Sequence, residues 1–164
     1  VLTRRNRPAG LALTRQNVAV LEGTSYEGVA RGGYILADTE GTPDVVLIGT
    51  GSEVELAVAA REALAAEGIS ARVVSMPSIE WFDEQDQAYR DAVLPAGIAR
   101  VSVEAGIAMP WYRIVNGGGG ISAAPGAIVS LEHFGASAPY QKLYEEFGIT
   151  AGAVAAAARE LLGR

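Results

Sequence analysis

Hydrophobic and polar positions follow two periods along this chain, and one stretch shows both. Val45–Ile48 is a short continuous apolar run, the pattern of a strand buried on both faces. Gly49-Thr50-Gly51-Ser52 follows as a tight turn. Glu53–Glu67 then takes a helical period, with Val54, Ala57, Val58, Arg61 and Leu64 in one sector. Ser52 with Glu55 three positions on predicts a capping box, and Gly68 marks the helix stop. With Ile69–Met76 as the next strand, the stretch reads as a right-handed βαβ unit at the centre of the fold.

The rest of the chain repeats the alternation. Gly10–Thr14 (GLALT) reads as a buried strand ending at Arg15, and Val18–Gly23 as a loop. Thr24–Gly33 reads as a connection before a short strand, Tyr34–Ala37, and Asp38–Pro43 as a turn. After Pro77 come a helical turn near Ile79–Phe82 and a longer helix around Gln85–Val93, stopped by Pro95. Trp81 and Phe82 are expected to cover the core. Ala99–Glu104 is a strand and Ile107–Val115 a short helix with Pro110 near its first turn. Gly117–Gly120 and Ile121–Gly126 read as a flexible surface loop, and Ala127–Leu131 as another buried strand. Two helices close the chain, Ala138–Phe147 capped by Ser137 and Ala151–Leu162 capped by Thr150. The expected fold is α/β and three-layered: a largely parallel sheet of about five strands with helices on both faces. Tyr34–Ala37 is expected to be an antiparallel edge strand.

Composition narrows the function. The 164 residues contain no cysteine, which excludes disulfides, thiolate nucleophiles and cysteine metal sites. A single histidine, His133, argues against a histidine metal centre. The net charge of −6 argues against a nucleic-acid partner. No apolar run approaches the roughly 18 residues of a membrane span, and no signal-peptide pattern opens the chain. The opening VLTRRNRPAG lacks a methionine and reads as the start of a piece cut from something longer.

Candidate chemistry is sparse. The Gly49–Ser52 turn precedes a helix, where backbone amides attract anions. A dinucleotide fingerprint would need glycine where Val54 stands, and the P-loop Gly-Lys-Ser/Thr is absent, so the turn reads as βα scaffold. A stand-alone anion- or nucleotide-binding regulatory module using this turn is the alternative. Ser75, Ser102 and Ser130 lie in strands without a nucleophile elbow. His133 could act as a base, but no partner is identifiable along the chain, and a structural histidine at a strand end is the plainer reading. Glu104 and Glu132 end two strands and could share a rim for acid–base or metal chemistry; capping loop amides is the plainer reading. Arg15, at a strand end beside Gln16 and Asn17, suits bidentate phosphate or carboxylate recognition, with a surface salt bridge as the alternative reading.

Six segments in order carry a resemblance: LALTRQNVAVLEG, EGVARGGYILAD, PDVVLIGTGSEVELAVAAREAL, ARVVSMPSIEWFDEQDQAYRDAVLP, RVSVEAG and HFGASAP. Together they resemble the C-terminal end of transketolase. The resemblance implies that residues 1–23 are the tail of a preceding pyrimidine-binding domain with its linker. Residues 24–164 would be the C-terminal α/β domain. It implies an enzyme that moves a two-carbon ketol unit between ketose and aldose phosphates in the pentose phosphate pathway. That enzyme would be a cytoplasmic homodimer using thiamine diphosphate and Mg2+ (or Ca2+). Arg15 falls on the family's sugar-phosphate arginine. No catalytic, cofactor-binding or metal residue is implied for this chain, whose partners would be the enzyme's other domains. The chain alone would support structure and dimer and lack the catalytic centre. Gly117–Gly126 departs from the family pattern, being longer and richer in glycine.

Overall fold

The computed structural model describes residues 8–116 and 125–164. Five apolar runs form strands: β1 (Tyr34–Ala37), β2 (Val45–Gly49), β3 (Ala71–Ser75), β4 (Ala99–Val103) and β5 (Gly126–Val129). The helices are α1 (Tyr26–Ala30), α2 (Val54–Ala65), α3 (Ile79–Asp83), α4 (Gln87–Val93), α5 (Tyr112–Val115), α6 (Tyr140–Glu146) and α7 (Ala151–Leu162). One sheet runs in the order β1-β3-β2-β4-β5. Strand β1 lies antiparallel to β3 at one edge, and the remaining pairs are parallel, as expected from the sequence.

Alternation along the central strands builds the three layers. Val45, Leu47, Val73 and Val101 face a cluster closed by Ala57, Leu64, Ala155 and Ala158 of α2 and α7. Val46, Ile48 and Val74 face the opposite cluster, closed by Phe82, Val93 and Trp111. Alanines at the α2–α7 crossing let the two helices approach closely, and Arg159 clasps Glu67 across them at 2.8 and 2.9 Å. Phe82 is buried in the second cluster, and Trp81 is half-buried.

Several expectations need correction. GLALT forms no strand: none of the five strands pairs with it, and Leu11 and Leu13 are 70% and 76% exposed. A strand without a ladder partner leaves its amides to water, and nothing here supplies the second strand. Residues 24–33 are more than a connection, because Ser25 accepts from the Gly28 amide at 3.0 Å and starts α1. The Ser52–Glu55 capping box does not form. Gly51–Glu53 is a 3₁₀ turn, Ser52 Oγ donates to Glu53 Oε1 at 2.6 Å, and Glu55 is drawn instead to the Ala19 amide. Ser137 caps nothing, since α6 begins at Tyr140 with Pro139 before it. The helix expected over Ile107–Val115 is reduced to its last turn, α5. Strand β5 is half-buried rather than buried, being the far edge. Of the expected glycine loop, residues 117–124 lie outside the described residues. The other boundaries agree, including Thr150, whose Oγ1 accepts from the Ala153 amide at 3.1 Å.

A reciprocal clamp ties the entries of β2 and β3. The Asp44 amide donates to Ser70 O at 2.8 Å, while Ser70 N and Oγ donate to Asp44 Oδ2 at 2.8 and 2.9 Å. These donors hold the Asp44 carboxyl below its ordinary 3.8. Its stabilising contribution is therefore complete above pH 3.8 and lost as pH falls through the lower folded value. We expect Asp44→Asn to be less stable than the parent in urea melts at neutral pH. The gap should close on acidification below that point; a gap independent of pH would exclude the ionised clamp.

Candidate functional site

Strands β2, β3, β4 and β5 are parallel, so their carboxyl ends share one edge, where open α/β sheets commonly bind ligands. The segment after Pro8 runs beside this edge. Gly10 and Leu11 line a cleft with Pro77, Ser78 and Trp81. Val18 and Ala19 line another with Gly51, Glu55 and Ser75. Between these two clefts the chain bends, with Gln16 N donating to Thr14 Oγ1 at 3.3 Å, and Arg15 stands exposed on the bend. Arg15 thus stands on a segment whose two ends border the carboxyl edge of the sheet, and the strand expected to carry it does not form.

The 3₁₀ turn and the start of α2 hold this segment. Glu55 Oε1 accepts from the Ala19 amide. Glu53, only 6% exposed, accepts from Ser52 Oγ at 2.6 Å and from the Tyr144 hydroxyl of α6. Burial, and after it the Glu53 carboxylate, push the Tyr144 phenol above its ordinary range; Ser52 and Gln16 act on the same hydroxyl in the opposite direction. Nothing in the sequence pointed to Glu53 or Tyr144. They stand 91 positions apart, and each alone is an ordinary helix-end polar residue.

The same geometry argues against an anion in the Gly49–Ser52 turn. A phosphate there would meet the Glu53 and Glu55 carboxylates instead of a cation. Gly49 serves packing: a Cβ on it would lie 2.8 Å from Val54 Cα and 3.0 Å from Val54 N.

Glu104 and Glu132 do share a rim, and both fasten one loop. Glu104 Oε2 accepts from Trp111 Nε1 at 2.6 Å. Glu132 Oε1 accepts from the Ala108 amide at 2.7 Å and from Ser130 Oγ at 2.8 Å. One oxygen of each is engaged in fastening this loop, the plainer of the two expectations. His133 is exposed; its Nδ1 lies 2.8 Å from Phe134 O and its ring meets Phe147 edge-on at 4.7 Å. These are structural contacts. Ser102 is wholly buried, and its Oγ has no hydrogen-bond partner among the described residues, so no base activates it.

The family described as Transketolase-like TK C-terminal domain matches residues 32–150. The chain is 55% identical to a transketolase of Mycobacterium tuberculosis over 99% of its own length and 23% of the relative's. It is 54% identical to transketolase 1 of Escherichia coli over 97% of its length and 23% of the relative's. The chain therefore spans just under a quarter of these curated relatives. Among solved structures it superposes on a transketolase from Leishmania mexicana with a TM-score of 0.81 and 44% identity, covering 92% of this chain and 21% of that one. It superposes on a Pichia stipitis transketolase, solved in complex with sedoheptulose-7-phosphate, with a TM-score of 0.79 and 35% identity, covering 91% and 20%. With a matched family spanning most of its length, an αβα sheet of the same topology class and identities above one half, this chain belongs to the transketolase C-terminal domain family.

Proposed function

We propose that this chain is the C-terminal part of a transketolase that transfers a two-carbon ketol unit between ketose and aldose phosphates. What carries this reading is 55% identity to a transketolase along 99% of the chain. In it, residues 1–23 close the pyrimidine-binding domain and residues 24–164 form the C-terminal domain of a cytoplasmic homodimer. Among the described residues no group of three or more His, Cys, Asp or Glu could hold a metal ion. In this reading thiamine diphosphate and Mg2+ are held by the enzyme's other domains, and no step through them is assigned to residues of this chain. The exposed apolar side chains Ile107, Met109, Tyr112 and Phe134 suit a supporting role against other domains. No helix of the described residues is long and apolar enough to cross a membrane.

Arg15 is the substrate contact. A guanidinium fork on a phosphate dianion is a charge-assisted contact that orients the far end of the sugar without moving a proton. Losing such a contact costs roughly 1.5–3 kcal/mol. In the complete enzyme, Arg15→Ala is expected to raise KM for phosphorylated sugars about 10- to 100-fold and to leave unphosphorylated sugars nearly unchanged. Steady-state kinetics with both substrate classes checks this, and an equal effect on the two would show that Arg15 does not read phosphate.

A further inference from the structure

Exposed apolar side chains are not spread evenly over the described residues. Strands β2, β3, β4 and β5 are parallel and β1 is antiparallel, so their carboxyl edge also receives the start of β1. Ile107 and Met109 stand on the loop after β4, and Phe134 and Tyr140 follow β5, all four exposed. Met109 is 72% exposed and Phe134 98%. Val29 of α1 is exposed at the other end of the same edge, beside Pro77. The turns at the opposite edge, 38–44, 66–70 and 94–98, carry no exposed large apolar side chain. Single apolar side chains on a surface need no explanation, but a one-sided concentration of them marks a contact.

The edge is also tied down. The Leu131 amide donates to Gly106 O at 2.9 Å and the Ala108 amide to Glu132 Oε1 at 2.7 Å, which joins the loop after β4 to the end of β5. Trp111 Nε1 donates to Glu104 Oε2 at 2.6 Å and pins the far end of that loop. Glu104 and Glu132 thus hold the backbone that carries Ile107 and Met109. A surface ordered beforehand loses less entropy when it is covered.

What already lies on this edge points to its occupant. Residues 8–11 line a cleft with Pro77, Ser78 and Trp81, Val18 and Ala19 line another with Gly51 and Ser75, and the Ala19 amide donates to Glu55 Oε1. In the transketolase reading, residues 1–23 are the tail of the preceding domain, so the last segment of that domain is seated here. The chain spans 23% of its relative's length, so in the same reading most of the enzyme is joined through that segment. A domain tethered at this edge meets it at a far higher effective concentration than a separate molecule does.

We propose that the domain preceding this one in the same polypeptide covers the carboxyl edge from α1 to the loop after β5, burying Met109 and Phe134 in the seam. This rests on the reading of the chain as the C-terminal part of a transketolase. It departs from the common use of such an edge: where open α/β sheets bind small ligands, this one seats a neighbouring domain. Glu104 and Glu132 then serve as fasteners of an interdomain surface.

The first test uses the complete, unaltered enzyme. Met76 and Met109 are the two methionines of this chain, one buried and one exposed here. Under hydrogen peroxide, with peptide mass mapping, Met109 is expected to form its sulfoxide at least about tenfold more slowly than a free methionine peptide. Oxidation at the rate of the free peptide would show an open edge and overturn the seam. A photo-reactive benzophenone amino acid in place of Phe134 then names the occupant. Cross-links from it to the preceding domain, within one chain, are expected. Products at twice the chain mass would assign the edge to a second copy and overturn the proposal, as would the absence of any protein cross-link. Ketol transfer by the same preparations reports separately on the reading beneath: without it, the transketolase assignment falls, whatever the seam shows.

Discussion

Arg100→Met is expected to destabilise the chain by about 3 kcal/mol, the scale of uncovering a hydrogen-bonded buried cation site. Arg100 lies on β4 and is 7% exposed. Its Nη1 donates to Ile114 O at 2.7 Å, and its Nη2 donates to Leu94 O at 2.9 Å and Pro95 O at 3.1 Å. These carbonyls lie at the carboxyl ends of α5 and α4, so the guanidinium sits where helix dipoles are negative. Burial lowers its pKa, partly opposed by Asp91, and the guanidinium remains charged. Methionine would fill the space and leave three carbonyls unpaired beneath the sheet face. In a chain of this size the loss corresponds to a fall in Tm of about 10 °C. Arg100→Lys separates charge from geometry: an ammonium on one stem cannot span both helix ends, so most of the loss should persist. Thermal melts showing a full rescue by lysine would mean that charge alone holds the site.

Gly32→Ala is expected to cost about 2 to 5 kcal/mol, from two sources. Gly32 has φ +83°, where an L side chain costs roughly 1–2 kcal/mol. A Cβ there would also lie 2.4 Å from both Phe82 N and Ser78 O, with overpacking typically costing a further 1–3 kcal/mol. The same backbone accepts from Ser78 N at 2.9 Å, so α3 cannot withdraw without losing that bond. Gly41→Ala provides the control. Its φ is +74°, yet a Cβ would meet nothing within 4 Å, so only the conformational cost of about 1 kcal/mol remains. Denaturant midpoints giving equal losses for the two substitutions would show that α3 yields freely.

Much of the fold was legible because its signals are local. The Val45–Ile48 run, the period of α2, Gly68 with its positive φ and the Thr150 cap each depend on a few neighbouring residues, and each stands where the pattern put it. The misreadings share another cause. GLALT has the composition of a strand, but a strand is made by its partner, and no partner lies among the described residues. Ser52 and Glu55 satisfy a capping pattern, yet Glu53 and Ala19 compete for those same groups and win. Ser137 has an N-cap's chemistry, but Pro139 starts the helix two residues later. In each case a local rule was overridden by a competitor that the pattern does not weigh: a missing or distant partner for GLALT and Glu55, an immediate neighbour for Ser52 and Ser137.

For the candidate site the division is sharper. Arg15 could be picked out from the chain alone, because a cation in a polar cluster after an apolar run is a local feature, and the family motif falls on the same residue. The polar pair at the nearby α2 entry could not. Glu53 and Tyr144 occupy two separate stretches with no shared period. Their association follows from helix α6 packing against the entry of α2, a long-range event. Hydrophobic periodicity encodes which face of an element is buried, so the chain itself dictated the layers and the central βαβ unit. Which polar groups meet at the sheet's rim depends on how those layers close, and that was decided only in three dimensions.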